Sequence, residues 1–210
     1  MVKNLRLGGS SSITLTPADS DITANFTLSA SSNSFGNTNE ATGVNIIRMH
    51  DNGSTWVTPT IQGANSTVNT TGIPPSQTQY IGNYYNWYTA TAGSGTYSTD
   101  TNVIAVQSIC PKGWRLPTGG AVNAATGNGE SQQLYDVYSN YNNFISATSA
   151  VLSGHWTATA AGDQGSNGVW WSSTAHSAVF AYGLYLSPSG IGPLSSSGKG
   201  NGRSVRCIAR

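Results

Sequence analysis

Charge is what this chain of 210 residues has least of: 9 basic and 8 acidic side chains, 8% of the total, leave a net charge of +1. A balance so near zero gives no long-range field toward nucleic acid or an anionic bilayer, so neither is expected as a partner. Cysteine is almost as scarce, with Cys110 and Cys207 alone. Two thiolates cannot hold a structural zinc, which needs four ligands, and no further Cys or His stands at a suitable spacing. No stretch is long and apolar enough to cross a bilayer. Met1-Val2-Lys3-Asn4-Leu5 has no hydrophobic signal region behind it, and so abrupt a start fits a leader or anchor trimmed from a longer precursor.

Catalytic motifs are also lacking. His50, His155 and His176 belong to no HExxH and form no pair at metal-ligand spacing. No G-x-S-x-G nucleophile elbow occurs. The eight carboxylates are scattered, so nothing nominates an acid and base for glycoside chemistry. Asp51-Asn52-Gly53-Ser54 supplies too few oxygens for calcium and reads as a turn. Gly198-Lys199-Gly200-Asn201-Gly202 lacks the spacing and the following helix of a phosphate loop. Lys199, Arg203, Arg206 and Arg210 make a small basic patch, with Arg206 beside Cys207 read as structural. No active site and no cofactor are expected.

What the chain does have is aromatics: 6 Trp, 10 Tyr and 4 Phe, enough to build a core and to exclude disorder. Glycine reaches 25 without a three-residue period, which excludes collagen. With no fixed-period repeat and no convincing linker, residues 1–210 read as one domain. Alternation at 12–16 and 22–28 predicts strands, with a turn at Pro17-Ala18-Asp19-Ser20 between them. Residues 44–48 and 55–57 are further strand candidates, and 63–79 is a long polar connection. Tyr80, Tyr84, Trp87 and Tyr88 fall at helical spacing and predict a short aromatic-faced helix, whose rings are expected in the core rather than on a ligand. Leu134, Val137, Tyr138, Tyr141, Phe144 and Ile145 form one apolar stripe and predict a helix over 130–147. Strand-like segments follow at 169–171, 179–186 and 204–208, so the class is α+β. Cys110 and Cys207 could pair, closing a loop worth up to about 4–5 kcal/mol, or stay as two buried thiols.

Two blocks are distinctive. One is Ile109-Cys110-Pro111-Lys112-Gly113-Trp114-Arg115-Leu116-Pro117-Thr118; the other runs from Trp170-Trp171-Ser172-Ser173-Thr174-Ala175 to Gly202-Arg203-Ser204-Val205-Arg206-Cys207. In that order they resemble the bacterial paralogous domains first named from Fibrobacter. Gly82-Asn83-Tyr84-Tyr85-Asn86-Trp87 and Asn4-Leu5-Arg6-Leu7 are similar to that family's N-terminal segments. The resemblance implies a C-type-lectin-like fold of short strands, two helices and long loops. It further implies that Cys110 and Cys207 approach one another and that Trp114, Leu116, Trp171 and Val205 pack in the core. Reactive C-terminal cysteines, as in relatives of the formylglycine-generating enzyme, are missing apart from Cys207. The Glu-Pro-Asn, Gln-Pro-Asp and Trp-Asn-Asp segments of calcium-dependent lectins are missing too, so neither activity is implied.

The second block also resembles the variable proteins of diversity-generating retroelements. Adenine-directed mutagenesis of Asn codons yields a restricted palette, and every residue between Trp171 and Cys207 except Lys199 belongs to it. The expectation is a cell-surface or extracellular recognition protein that binds a macromolecule, by preference a protein, through 170–203. The candidate contact residues are His176, Val179, Phe180, Tyr182, Gly183, Tyr185, Pro188, Gly192, Leu194, Ser196, Gly198, Gly200 and Arg203. Phe180, Tyr182 and Tyr185 are the expected anchors, with Ser and Gly allowing close approach. The rival expectations are a structural or adhesin spacer and, behind it, an enzyme of the formylglycine-generating type.

Overall fold

The computed structural model describes residues 4–5, 7, 12–28, 46–48, 82–95, 103–123, 127–157, 160–163 and 165–210. Among these, the expected strand at 55–57, the connection at 63–79 and the Asp51-Asn52-Gly53-Ser54 turn are not included. Short strands β1 (Ile13–Leu15) and β2 (Phe26–Leu28) pair antiparallel, as β3 (Ile46–Arg48) does with β4 (Asn83–Tyr85). One helical turn, α1 (Trp87–Ala90), follows, and β5 (Trp114–Arg115), β6 (Ala121–Asn123) and β7 (Gly127–Asn128) lead to α2 (Glu130–Tyr138) and α3 (Tyr141–Thr148). The hairpin β8 (His155–Thr157) and β9 (Ala160–Gly162) precedes a three-stranded antiparallel sheet of β10 (Gly168–Ala175), β11 (Phe180–Ser187) and β12 (Gly190–Gly198). The chain ends on β13 (Ile208–Ala209), paired with β5. The class is α+β.

Two helix expectations change. The aromatic segment is mostly strand: Tyr84 and Tyr85 lie in β4, and only Trp87–Ala90 is helical, capped by the Asn86 side chain on the Thr89 amide. Tyr84 and Trp87 are buried in the core as expected, Tyr88 is half-buried, and Tyr80 lies outside the described residues. The long stripe is two helices, because Ser139 adopts a left-handed conformation (φ 52°) and Asn140 caps α3 through the Asn143 amide at 3.0 Å. Ser139-Asn140 is a stop followed by a start, a local signal that outweighs the shared apolar periodicity.

The tryptophan pair organises the core. Successive residues of a strand face opposite ways, so Trp170 and Trp171 of the fully buried β10 separate two clusters. Trp170 joins Phe144, Leu152, Leu184, Leu186 and Ile191 on the helical side. Trp171 joins Leu28, Tyr85, Trp87, Leu116, Val205 and the Cys110–Cys207 disulfide on the other. Trp114 packs partly buried against this second cluster. Each indole N–H finds an acceptor: Trp170 on Asn4 Oδ1 (2.8 Å), Trp171 on the Tyr85 carbonyl (2.7 Å) and Trp87 on the Ser172 carbonyl (2.8 Å). A buried ring with its polar edge satisfied has one orientation available, which makes this framework rigid.

The disulfide joins residues 97 apart in sequence, with Cα atoms 5.9 Å apart. The C-terminal segment is stitched in by backbone pairing as well: Gly202 with Trp156, Arg203 with Tyr85 and Ser204 with Trp170. The Arg115-Leu116-Pro117-Thr118 segment has its own task. Arg115 meets both oxygens of Glu130 at 2.6 and 2.5 Å, while the Thr118 amide donates to Glu130 Oε2 at 2.9 Å and Glu130 N–H donates to Thr118 Oγ1 at 3.1 Å. Burial alone would raise the Glu130 pKa, but the Arg115 and Thr118 bonds outweigh it and hold it below the usual value. The motif thereby clamps the first residue of α2, where a carboxylate also meets the positive end of the helix.

Candidate recognition face

Strand β11 alternates, and the two halves of one face differ. Leu184 and Leu186 are buried with Phe144 of α3. Toward the start of the strand Phe180 is 36% exposed and Tyr182 half-buried. Ser196 pairs with Tyr182 and is exposed. His176, just beyond β10, stands edge-on to Tyr182 with ring centroids 4.8 Å apart and lies 6.4 Å from Phe180.

The platform has a glycine floor. A Cβ on Gly120 would stand 2.6 Å from Cδ2 of Tyr182, and one on Gly119 would stand 2.8 Å from its Cβ. The ring therefore lies directly on the Gly119-Gly120 backbone, and Gly120 also takes a positive φ of 69°. Ser172 Oγ donates to the Tyr182 carbonyl at 2.8 Å, where β10 bulges between Trp171 and Ala175. Ala175 N–H in turn donates to the Val103 carbonyl at 2.8 Å, which brings Val103 and Ile104 to the end of β10; both are exposed, as is Val106 at 77%.

The sequence's candidates do not gather into one site. His176, Val179, Phe180, Tyr182 and Ser196 share one end of the sheet. Pro188 lies in the β11–β12 turn, some seven residues or about 23 Å along the strand, and is exposed. Tyr185 is half-buried on the opposite face, flanked by Gly192, whose added Cβ would lie 3.4 Å from the Tyr185 Cβ. Leu194, 54% exposed, sits where β12 carries an extra residue against β11.

Four candidates are corrected, since Gly183, Gly198, Gly200 and Arg203 are buried. A Cβ on Gly183 would stand 3.0 Å from Arg203 Nη1, so this glycine admits the arginine rather than a ligand. Gly198 and Gly200 flank Lys199, whose amide donates to Val179 and whose carbonyl accepts from Trp87 N–H, both at 2.9 Å. The surface basic patch is likewise corrected. Lys199 lies 4.6 Å over Trp87, Arg203 4.9 Å over Trp171 and Arg206 5.8 Å over Trp170, all three buried; only Arg210 is exposed, paired with Asp21. Burial pushes the Lys199 pKa down to about 8.

Sequence reasoning missed Gly119, Gly120, Val103 and Ile104. The Gly-Gly doublet was a visible sign of close backbone approach; nothing marked Val103 and Ile104, which reach Ala175 and Thr174 through backbone pairing between segments distant in sequence. His155 and Asp163 stand 3.6 Å apart, with burial lowering the His155 pKa, and the described residues hold no group of three metal-ligating side chains. A cleft of about 480 Å³ lies between 104–108 and 115–118, but its charges already pair with each other as Arg115–Glu130 and Arg210–Asp21. No protein-family model, curated protein or solved structure matches the chain.

Proposed function

We propose that this chain is a non-enzymatic recognition domain of C-type-lectin-like fold, and that its contact face is the exposed end of the β10–β12 sheet. The observation that carries this reading is the cluster His176, Phe180 and Tyr182, held on Gly119-Gly120 and open to solvent beside Ser196. Aromatic rings fixed in advance give contact area at little entropic cost, and Ser and Gly neighbours let a partner come close. A face with no Lys, Arg, Asp or Glu among these residues favours an uncharged protein surface over nucleic acid. Among the described residues no helix is long and apolar enough to cross a membrane. The disulfide supports an extracellular or cell-surface location, where such bonds persist.

Within this reading the face is diversified by a retroelement. The palette of residues at 172–206 supports it, and so does the placement of His176, Phe180, Leu194 and Ser196, where side chains change without disturbing the core. Sequencing the DNA beside the gene is the test. A near-repeat of the C-terminal coding segment, differing at adenines and next to a reverse-transcriptase gene, is expected. Its absence would return the domain to a generic binding module.

A further inference from the structure

Strand β12 is the last of the three-stranded sheet, and among the described residues no further strand pairs with its outer side. The ladder to β11 fixes which backbone groups point that way. Lys199 N–H donates to the Val179 carbonyl at 2.9 Å, and the register continues as Gly198 with Phe180, Ser197 with Ala181 and Ser196 with Tyr182. Hydrogen-bonded and non-hydrogen-bonded pairs alternate in an antiparallel ladder. Ser195, Ser197 and Lys199 therefore turn their N–H and C=O toward β11, and Ser196 turns both of its own outward. The Gly198 carbonyl, also outward, is taken by the Asn201 amide at 3.0 Å, while at the other end Pro193, which has no N–H, stands in the register shift. Between these two stops the edge of 194–197 is open, with Leu194 54% exposed and Ser196 exposed. No residue of β12 is charged, whereas sheet edges are commonly guarded by Lys or an inward-pointing charge.

A donor and an acceptor side by side on an extended, uncharged backbone are complementary in charge pattern to another extended main chain. A second copy of this chain does not fit there. Helix α2 packs on β12, where Leu134 and Tyr138 join the cluster of Ile191, and antiparallel pairing of two β12 edges would keep both helices on one face. Neighbouring strands lie about 4.8 Å apart, whereas packed helices need about 8–10 Å, so the two helices would collide. A bare segment without a helix of its own avoids this. We propose that the recognition face takes an extended, uncharged polypeptide segment, which pairs as an added strand with 194–197 through Ser196 and lays a large apolar side chain across Ser196 onto Tyr182. The register supplies the notch, because the small Ser196 stands directly beside Tyr182. This rests on the recognition role proposed above and specifies what that face binds.

The experiment pans a random linear-peptide library on the full chain, then measures the selected peptides by calorimetry with each backbone amide N-methylated in turn. Methylation of the amide that meets the Ser196 carbonyl is expected to weaken binding by about tenfold, the scale of one lost hydrogen bond. The amides on either side of it point away and should tolerate the methyl group. Ser196→Pro removes an N–H that the sheet itself does not use and is expected to weaken binding by about the same factor, as is Tyr182→Ala. Peptides that need Tyr182 but bind Ser196→Pro normally, with no contrast between adjacent amides, overturn the inference and leave the face in place. Peptides indifferent to both variants count against the face and the inference together. Failure to select any peptide, or self-association of the unaltered chain that Ser196→Pro abolishes, overturns the inference too. Should Ser196→Pro fail to fold, the methylation pattern on the unaltered chain decides the matter.

Discussion

Residues 176–196 and 198–207 lie next to each other in sequence and carry three glycines each, yet they occupy opposite situations. The first carries His176, Phe180, Leu194 and Ser196 on the outside; the second runs through the interior, where nine of its ten residues are buried. The difference lies in what each backbone pairs with. Residues 180–198 are satisfied within the three-stranded sheet of β10, β11 and β12, and His176, Phe180, Leu194 and Ser196 stay exposed beside it. Residues 199–205 bond instead to Val179, Trp87, Trp156, Tyr85, Trp171 and Leu5, scattered over the chain, and can do so only by entering the core. Composition predicts tolerance; the destination of the hydrogen bonds decides it.

The contrast breaks most severely at the disulfide. Replacing Cys110 and Cys207 by Ser is expected to destabilise the domain by about 3–5 kcal/mol in denaturant titration. A loss below about 1 kcal/mol would mean that the buried segment is held by its backbone pairing alone. Next is the floor of the face: Gly120→Val meets both a positive φ and the Tyr182 ring, and about 2–4 kcal/mol is expected. The Tyr182 ring should also lose its fixed environment in near-ultraviolet circular dichroism.

The Arg115→Met variant should cost about 1–2 kcal/mol, the scale of a half-buried bidentate pair. The pH dependence of this pair has a definite sign. The Glu130 pKa is lowered on folding, so its contribution is present above the ordinary carboxylate range and disappears as pH falls through the folded value. Acid unfolding should therefore begin at higher pH in Arg115→Met. Lys199 has the same sign in a more alkaline window: with a folded pKa of about 8, the native chain releases its proton before the unfolded chain does, and stability should rise from about pH 8 to 10.5. A Lys199→Met variant should flatten that rise.

Smallest are the exposed positions. Alanine at Leu194 or Ser196 is expected to change stability by no more than about 0.5 kcal/mol each, read as a Tm shift of under about 2 °C. If either costs as much as the change at Gly120, the division into tolerant face and rigid frame does not hold.

The sequence by itself determined the class and the framework. Alternation gave β1 and placed β11, and the apolar run at 169–171 marked a strand, β10. These signals are local, written in period and in residue size. Tertiary structure alone decided that Arg203 and Lys199 lie inside, that Gly119-Gly120 rather than another strand carry Tyr182, and that Val103 reaches the end of β10. Each of those outcomes depends on partners dozens of residues away. A one-dimensional pattern records which side chains favour burial, but it does not record which backbone groups will find each other across the fold.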